Sequence, residues 1–351
     1  MILDPVLDLF RGKAVTIPPL DGAFRPNTRL DDAPALTSLA EPDNLLVADG
    51  RLLASSGNVI YAIKAGAEPA VVETFPSPVT ALALVQSGEL TVALESGKLL
   101  IAGEEVSLPA EIRCITALAY ADDGTLWLAN GSAEHAPSQW AADLMRKGAS
   151  GSLWRCGPAE IRFQKIAGDI AFPYGLHPVG RDVLVSESWR HQLVRFDGAT
   201  GSRSTVLAHL PGYPARLSPS ADGGAWLALF APRNRLIEFV LQETHYRQDM
   251  LSQVPPAYWI APALASSRSF LEPLQCGGIR TMGIHKPWSP SRSYGLVVRL
   301  DQKMQPQFSL HSRANGTRHG ICSVAEKDGL LFIASRGGDR VLAIDLASGG
   351  F

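Results

Sequence analysis

The chain has 351 residues, of which 46% are hydrophobic and 19% are charged, and this balance predicts a well-packed globular protein. Its 32 lysines and arginines nearly balance 34 aspartates and glutamates, which gives a formal charge of −2. Because no basic stripe with interleaved aromatic residues occurs, nucleic acid is not an expected partner.

The N-terminal stretch and the cysteines indicate the cellular compartment to expect for the protein. Residues 1–15 carry acidic groups early and lack both a basic region and a long apolar region, so no secretory signal is expected. No stretch reaches the roughly 18 apolar residues of a membrane span, so no membrane contact is expected. The four cysteines, Cys114, Cys156, Cys276 and Cys322, lie far apart without a CxxC pair, which argues against a zinc site and against a dense disulfide framework. We therefore expect a cytoplasmic protein with free thiols. The sequence leaves its oligomeric state open.

A repeated unit organises the chain. In each copy an apolar segment leads to a turn glycine, which is followed by a second apolar β run and then by a third. Three strands and a variable fourth, repeated with Gly, Asp and Pro turns, are typical of an all-β fold, the six-bladed β-propeller. The alternative is an irregular β-sandwich. The glycine and its β run occur six times, at residues 50–54, 88–92, 124–128, 180–185, 224–228 and 329–333.

A propeller must close its ring, and the last repeat has no room for a fourth strand before Phe351. Residues 13–17 have strand composition and nothing local with which to pair. We therefore predict that this segment completes the last blade and makes residues 1–351 a single domain.

Two repeats are interrupted between their second and third strands, by residues 131–148 and 231–293. Residues 137–141 resemble a capped short helix, and the apolar spacing of residues 235–251 also suits a helix. Loops at the same place in two blades emerge on one face, so we expect a helical cap over one mouth of the central channel. Ligand sites form where such irregular segments converge on a rigid scaffold.

Three stretches resemble a known family. Residues 210–214 followed by 220–226, residues 183–196 and residues 325–333 are similar to the strictosidine synthase-like proteins. These are six-bladed propellers related to gluconolactonases, senescence marker protein and paraoxonases. The resemblance is strong over about residues 150–346, and the long fifth-blade interruption also matches the layout of the family.

The resemblance implies a fold more firmly than an activity. The lactonase relatives hold calcium in the channel with an acid, an Asn and an Asp. Asp43 stands at the position of the first acid, Tyr174 at that of the Asn, and Ala215 or Arg216 at that of the Asp. Because calcium needs several oxygen ligands and an arginine there would repel it, Asp43 is the one retained metal candidate. We therefore expect no metal or other cofactor.

The acid/base glutamate of strictosidine synthase itself falls on Cys322. A thiol lacks the proton affinity and geometry of a carboxylate, so the resemblance does not imply strictosidine synthase activity. Cys322 and His319 form a weak candidate for a nucleophile and its base. The competing interpretation is that Cys322 is a small buried hydrophobic residue.

The predicted ligand site is the capped channel. A Tyr hydroxyl and an Arg fork suit an anionic small molecule, which makes Tyr174 and Arg216 candidate ligand contacts beside Asp43. From the cap we add His135, Arg233 and His285, for which a solvated surface is the competing explanation. Two functions remain open: a lactone or ester hydrolase, and a non-catalytic binder or scaffold that has lost the ancestral metal site.

Overall fold

The structure is a computed structural model that describes residues 16–266, 268–269, 271–273, 280–281, 284–285 and 291–347, with only the backbone at 280–281 and 284–285. Six four-stranded antiparallel sheets confirm the six-bladed propeller. The strands of the first half are β1 (Ala35–Ser38), β2 (Asp43–Ala48), β3 (Arg51–Ser56), β4 (Val59–Ile63), β5 (Ala70–Thr74), β6 (Val79–Leu84), β7 (Leu90–Leu94), β8 (Leu99–Ile101), β9 (Glu104–Val106), β10 (Ile115–Tyr120), β11 (Leu126–Asn130), β12 (Gly151–Cys156) and β13 (Phe163–Ile170).

The second half supplies blades 4 to 6 and a short hairpin formed by β20 and β21. Its strands are β14 (Pro173–Val179), β15 (Asp182–Glu187), β16 (Gln192–Phe196), β17 (Arg203–Leu207), β18 (Gly212–Pro219), β19 (Ala225–Pro232), β20 (Arg280–Thr281), β21 (Ile284–His285), β22 (Gly295–Leu300), β23 (Pro306–Ser312), β24 (Ile321–Lys327), β25 (Leu330–Ser335) and β26 (Arg340–Asp345).

The ring is built from the first strand of each blade. These inner strands are β2, β6, β10, β14, β18 and β24, and each packs against the inner strands of the two neighbouring blades. The turn after an inner strand uses a residue with positive φ, for example Gly124 at +81° and Gly329 at +75°, a conformation that glycine adopts without steric cost. Apolar side chains then fill the spaces between blades: Trp127 and Phe196, each about 1% exposed, pack between blades 3 and 4.

The strand that closes the ring is β1, which pairs with β26 of blade 6, with Thr37 opposite Val341. An N-terminal strand therefore completes the last blade, as predicted, but its location at residues 13–17 was wrong. Residues 13–17 and residues 35–38 both have strand composition, and only the observed pairing with β26 distinguishes them. Residues 16–17 form no strand, and residues 13–15 lie outside the described part of the chain.

Both interruptions contain the predicted helices. A 3₁₀ turn at Pro137–Gln139 leads into a helix in the first insertion, and Asn234 caps the first helix of the second by accepting the Leu236 N–H at 2.9 Å. The single helix predicted over residues 235–251 is two helices, because Glu243 leaves the helical conformation with ψ of 86°. In chain order the helices are α1 (Arg29–Asp32), α2 (Trp140–Met145), α3 (Arg235–Gln242) and α4 (Thr244–Gln253).

Within the described residues, no helix has the length and apolar character needed to cross a bilayer. Cys114, Cys156 and Cys322 are free and buried, while Cys276 lies outside the described residues.

Candidate functional site

All six inner strands carry a register shift close to their start. A β-bulge leaves a residue unpaired in the ladder and redirects its side chain, and bulges are common next to active sites. In this propeller the bulges put a set of side chains around the channel. The residues at the shifts are Asn44, Thr80, Thr116, Tyr174, Arg216 and Cys322.

Arg216, from blade 5, lies at the centre of this set. Its Nη1 donates to Asp43 Oδ1 of blade 1 at 2.6 Å. Its Nη2 donates to the carbonyl oxygens of Thr80 in blade 2, at 2.7 Å, and Thr116 in blade 3, at 3.1 Å. The Tyr174 ring of blade 4 lies 4.9 Å from the guanidinium carbon, within cation–π range. One guanidinium group therefore links five blades.

Asp43 is shared between two arginines. Its Oδ2 lies 3.5 Å from Nη1 of Arg336, and Nη2 of the same arginine lies 3.4 Å from Glu41 Oε2. Burial alone would lower the pKa of both guanidinium groups, but the Asp43 carboxylate outweighs burial and raises the pKa of Arg216 and of Arg336. Both arginines therefore stay charged, and they share the Asp43 carboxylate.

The three positions that the family resemblance aligns with metal ligands do converge, but the side chains around them do not fit calcium. Asp43 brings one carboxylate, and Arg216 and Arg336 bring two positive charges to it. Asn44 Oδ1 is a buried oxygen that has no hydrogen-bond partner among the described residues, yet one neutral oxygen does not offset two guanidinium groups. Nowhere in the described ranges do three His, Cys, Asp or Glu side chains come together as a metal site.

A cavity of about 380 Å³ lies on the cap side of Arg216. Trp140 from the first insertion and Leu264 from the second both line it, so both insertions reach the same mouth of the channel. The rest of its wall comes mainly from blades 1 to 4. Its polar and aromatic lining consists of Glu41, Asp43, Ser55, Thr80, Glu95, Thr116, Ser138, Trp140, Phe172, Tyr174, Arg216, Phe230 and Arg336.

Four aromatic rings form one continuous wall of this cavity. The Phe230 ring lies 5.3 Å from Trp140 and 5.8 Å from Tyr174, both edge-to-face, and Phe172 lies 5.8 Å from Tyr174. Such pairs are worth about 0.5–1.5 kcal/mol each beyond the area that they bury, so the wall is held in a fixed shape.

Arg216 also lines a second cavity of about 380 Å³ on the opposite side of the ring. That chamber is surrounded mostly by the apolar inner strands, including residues 82–84, 117–119 and 176–178. The guanidinium group thus lies between two chambers of the channel.

Cys322 and His319, the candidate nucleophile and base, are not arranged for those roles. Cys322 is fully buried, and burial raises the pKa of its thiol to about 12, so the thiolate is strongly disfavoured. The His319 ring contacts Ser293 Oγ through Nδ1 and the Arg313 carbonyl oxygen through Nε2, each at 2.8 Å. With both nitrogens engaged, this imidazole is not oriented as a base for Cys322.

Two of the cap candidates, His135 and Arg233, do not line the cavity. His135 Nδ1 lies 3.2 Å from Asp143 Oδ2, and Asp143 also accepts from the Trp189 ring at 2.7 Å. Arg233 pairs with Glu238 at 3.0 Å. The side chain of His285 lies outside the described residues.

Several channel residues were not predicted from the sequence. Thr80 and Thr116 contribute backbone carbonyls, which any residue type supplies, so no residue pattern marks them. Glu95 and Arg336 each follow directly after the buried second strand of a blade, β7 and β25. A charged residue at that point of the repeat was the available signal.

No family model matches the chain, and no curated protein matches it. Solved structures with the same fold include a putative gluconolactonase, with a TM-score of 0.54 and 13% identity over 89% of this chain and 91% of that one. A gluconolactonase of Xanthomonas campestris, described as important in glucose secondary metabolic pathways, has a TM-score of 0.57 and 16% identity, covering 90% of each chain. At these identities the likeness shows the propeller fold and not the activity. The narrower resemblance to strictosidine synthase-like proteins stays a prediction.

Proposed function

We propose that this protein binds a small organic molecule in the cap-side cavity without a metal ion, with the ligand's ring against the aromatic wall. The observation that carries the proposal is the contact between the Arg216 guanidinium and Asp43, two residues that the family resemblance aligns with metal ligands. A volume of about 380 Å³ falls within the range of small-molecule pockets, and so does a lining of aromatic groups with a few polar ones.

Charge supports a neutral or cationic ligand rather than the anion suggested by Tyr174 and Arg216 in the sequence. Arg216 directs its donors to Asp43 and two carbonyls, and Arg336 faces Asp43 and Glu41. The charged groups that line the cavity are three acids and two arginines, Glu41, Asp43, Glu95, Arg216 and Arg336, so the cavity carries an excess of one negative charge.

Three probes with one ring and different charges test this proposal: phenethylamine, phenylethanol and phenylacetate, each added at millimolar concentration in a thermal-shift titration. We expect the amine and the alcohol to raise the melting temperature in a saturable way and phenylacetate to do so least. Trp140→Ala should abolish the shift, because it removes one side of the aromatic wall.

Tyr246→Ala is the matched control, since this aromatic residue lies on α4 and is 51% exposed. It should retain the wild-type response. Equal loss in both variants, or the tightest binding by phenylacetate, contradicts the proposed site.

Lactone or ester hydrolysis is the second candidate, and the fold likeness to two gluconolactonases favours it. The test is acid release from gluconolactone in the presence of EDTA. Saturable turnover that Trp140→Ala lowers and Tyr246→Ala does not would establish a metal-independent hydrolase. Ligand binding without turnover would leave the non-catalytic binder.

A further inference from the structure

A second concave site lies beside blade 6, outside the channel. It is a cleft of about 430 Å³ formed by three parts of the chain: residues 265, 266 and 268 of the cap, the loop 314–319 between β23 and β24, and residues 337–340 around the turn between β25 and β26. Leu264 lines the channel cavity while the next residue, Ala265, lines the cleft. The two sites are therefore separated by the thickness of one chain.

The cleft is rich in unbalanced positive charge. Arg268, Arg318 and Arg340 line it, and Asp339 is the one carboxylate among its described lining residues. Asp339 already pairs with Arg268 at 3.4 Å. In the part of the chain that the structure describes, neither Arg318 nor Arg340 has a carboxylate within ion-pair distance.

Arg318 is the least satisfied of these groups. Its Nε is shielded from solvent and finds no hydrogen-bond partner among the described residues. Burial, followed by the positive charge of Arg340, lowers the pKa of Arg318, and the Asp31 carboxylate only partly opposes this. Asp31 is itself engaged, because it accepts from Ser312 Oγ at 2.6 Å.

Close backbone packing holds the walls in place. A side chain at Gly337 would overlap the Leu264 carbonyl, and one at Gly338 would meet both Ser335 Oγ and the Thr317 carbonyl at 2.5 Å. The absence of side chains at these glycines lets the three segments pack directly against one another. Arg318 and Arg340 both line this cleft, and the charge of Arg340 disfavours the charge of Arg318, so an anion bound between them would relieve that repulsion.

We propose that this cleft is an anion-binding site for a doubly charged oxyanion of the phosphate class, held between the guanidinium groups of Arg318 and Arg340. Guanidinium forks match the geometry of such oxyanions and bind them through charge-assisted hydrogen bonds. Free phosphate and the phosphate group of a larger phosphomonoester share this chemistry. The proposal does not depend on the ligand of the channel.

Isothermal titration of the full chain at constant ionic strength tests the site with inorganic phosphate, phenyl phosphate and acetate. We expect saturable phosphate binding that weakens as ionic strength rises, with acetate binding much more weakly. Tighter binding of phenyl phosphate identifies a phosphomonoester as the preferred form, and equal or weaker binding identifies free phosphate.

The double variant Arg318→Met/Arg340→Met should weaken phosphate binding at least tenfold. The matched control, Arg162→Met/Arg203→Met, removes the same charge from exposed positions and should bind like the wild type. If the first variant does not fold, Arg318→Lys/Arg340→Lys keeps the charge, loses the fork and should still weaken binding severalfold. Equal losses in the test and control variants, no saturable binding, or acetate as tight as phosphate overturns the proposal.

Discussion

Arg216 shows how one side chain can define both the structure and the chemistry of a channel. Its guanidinium contacts four other blades, and Asp43 keeps it charged in spite of its burial. Removing one partner of such a buried pair typically destabilises a protein by about 3–5 kcal/mol, since the other charge is left without compensation. The pair is therefore both a support for the ring and the main electrostatic feature of the cavity.

The sequence predicted the members of this group that the family resemblance aligns with metal ligands. Asp43, Tyr174 and Arg216 were chosen for that reason, and they do meet in the channel. Thr80 and Thr116 could not be found this way, because their contribution is a carbonyl oxygen. His135 and Arg233 were chosen for their polarity, and both are engaged by acids away from the cavity.

A different residue, Glu238 of α3, gives a pH-dependent prediction. Burial would raise the pKa of Glu238, but hydrogen bonds from His191 and Arg233 outweigh it and lower the pKa to about 2. A carboxylate with a lowered pKa stabilises the fold above its unfolded pKa, near 4.5, and this contribution is lost as the pH falls from about 4.5 towards 2. Glu238→Gln should therefore lower the free energy of unfolding at pH 7 by about 1–3 kcal/mol, and by much less at pH 3.

Urea denaturation at the two pH values measures this difference. Glu105→Gln is the control, because Glu105 forms an exposed ion pair with Lys98 and should change the free energy of unfolding by well under 1 kcal/mol. A loss for Glu238→Gln that is the same at pH 3 as at pH 7 would show that its carboxylate is not the stabilising group.

At the scale of elements, local repeats were easy to predict and distant pairing was not. Each blade repeats a turn glycine and apolar runs within a few tens of residues, so periodicity reveals it. The closing strand has no such signal: Ala35–Ser38 finds its partner β26 at the other end of the chain. The division of the predicted helix at Glu243 was also missed, because no glycine or proline marks it in the sequence.

The closing role of β1 predicts an asymmetry between two outermost strands. Thr37 of β1 lies opposite Val341, and Ser204 of β17 lies opposite Arg195. A proline at either position cannot donate a hydrogen bond to its neighbour strand. Thr37→Pro should lower the melting temperature by several degrees more than Ser204→Pro, because it also weakens the closure of the ring. Equal shifts in calorimetry would contradict a closing role for β1.

At the scale of the whole molecule, the propeller is a ring whose centre is divided into two chambers by Arg216. The sequence predicted the ring, because six similar units leave few other arrangements. It could not predict the division of the channel, which depends on contacts among residues from five blades. Nor does the fold determine the function, since one scaffold can carry many different sites.

The most direct test of our central proposal, that a guanidinium group takes the place of a metal ion in the channel, is the melting temperature measured in calcium and in EDTA. The wild-type protein should melt at the same temperature in both. The variant Tyr174→Asn/Arg216→Asp adds two oxygen ligands for calcium to those of Asp43 and the carbonyls of Thr80 and Thr116. Calcium should therefore raise the melting temperature of this variant. A calcium-dependent rise of several degrees in the wild type, reversed by EDTA, would contradict the claim.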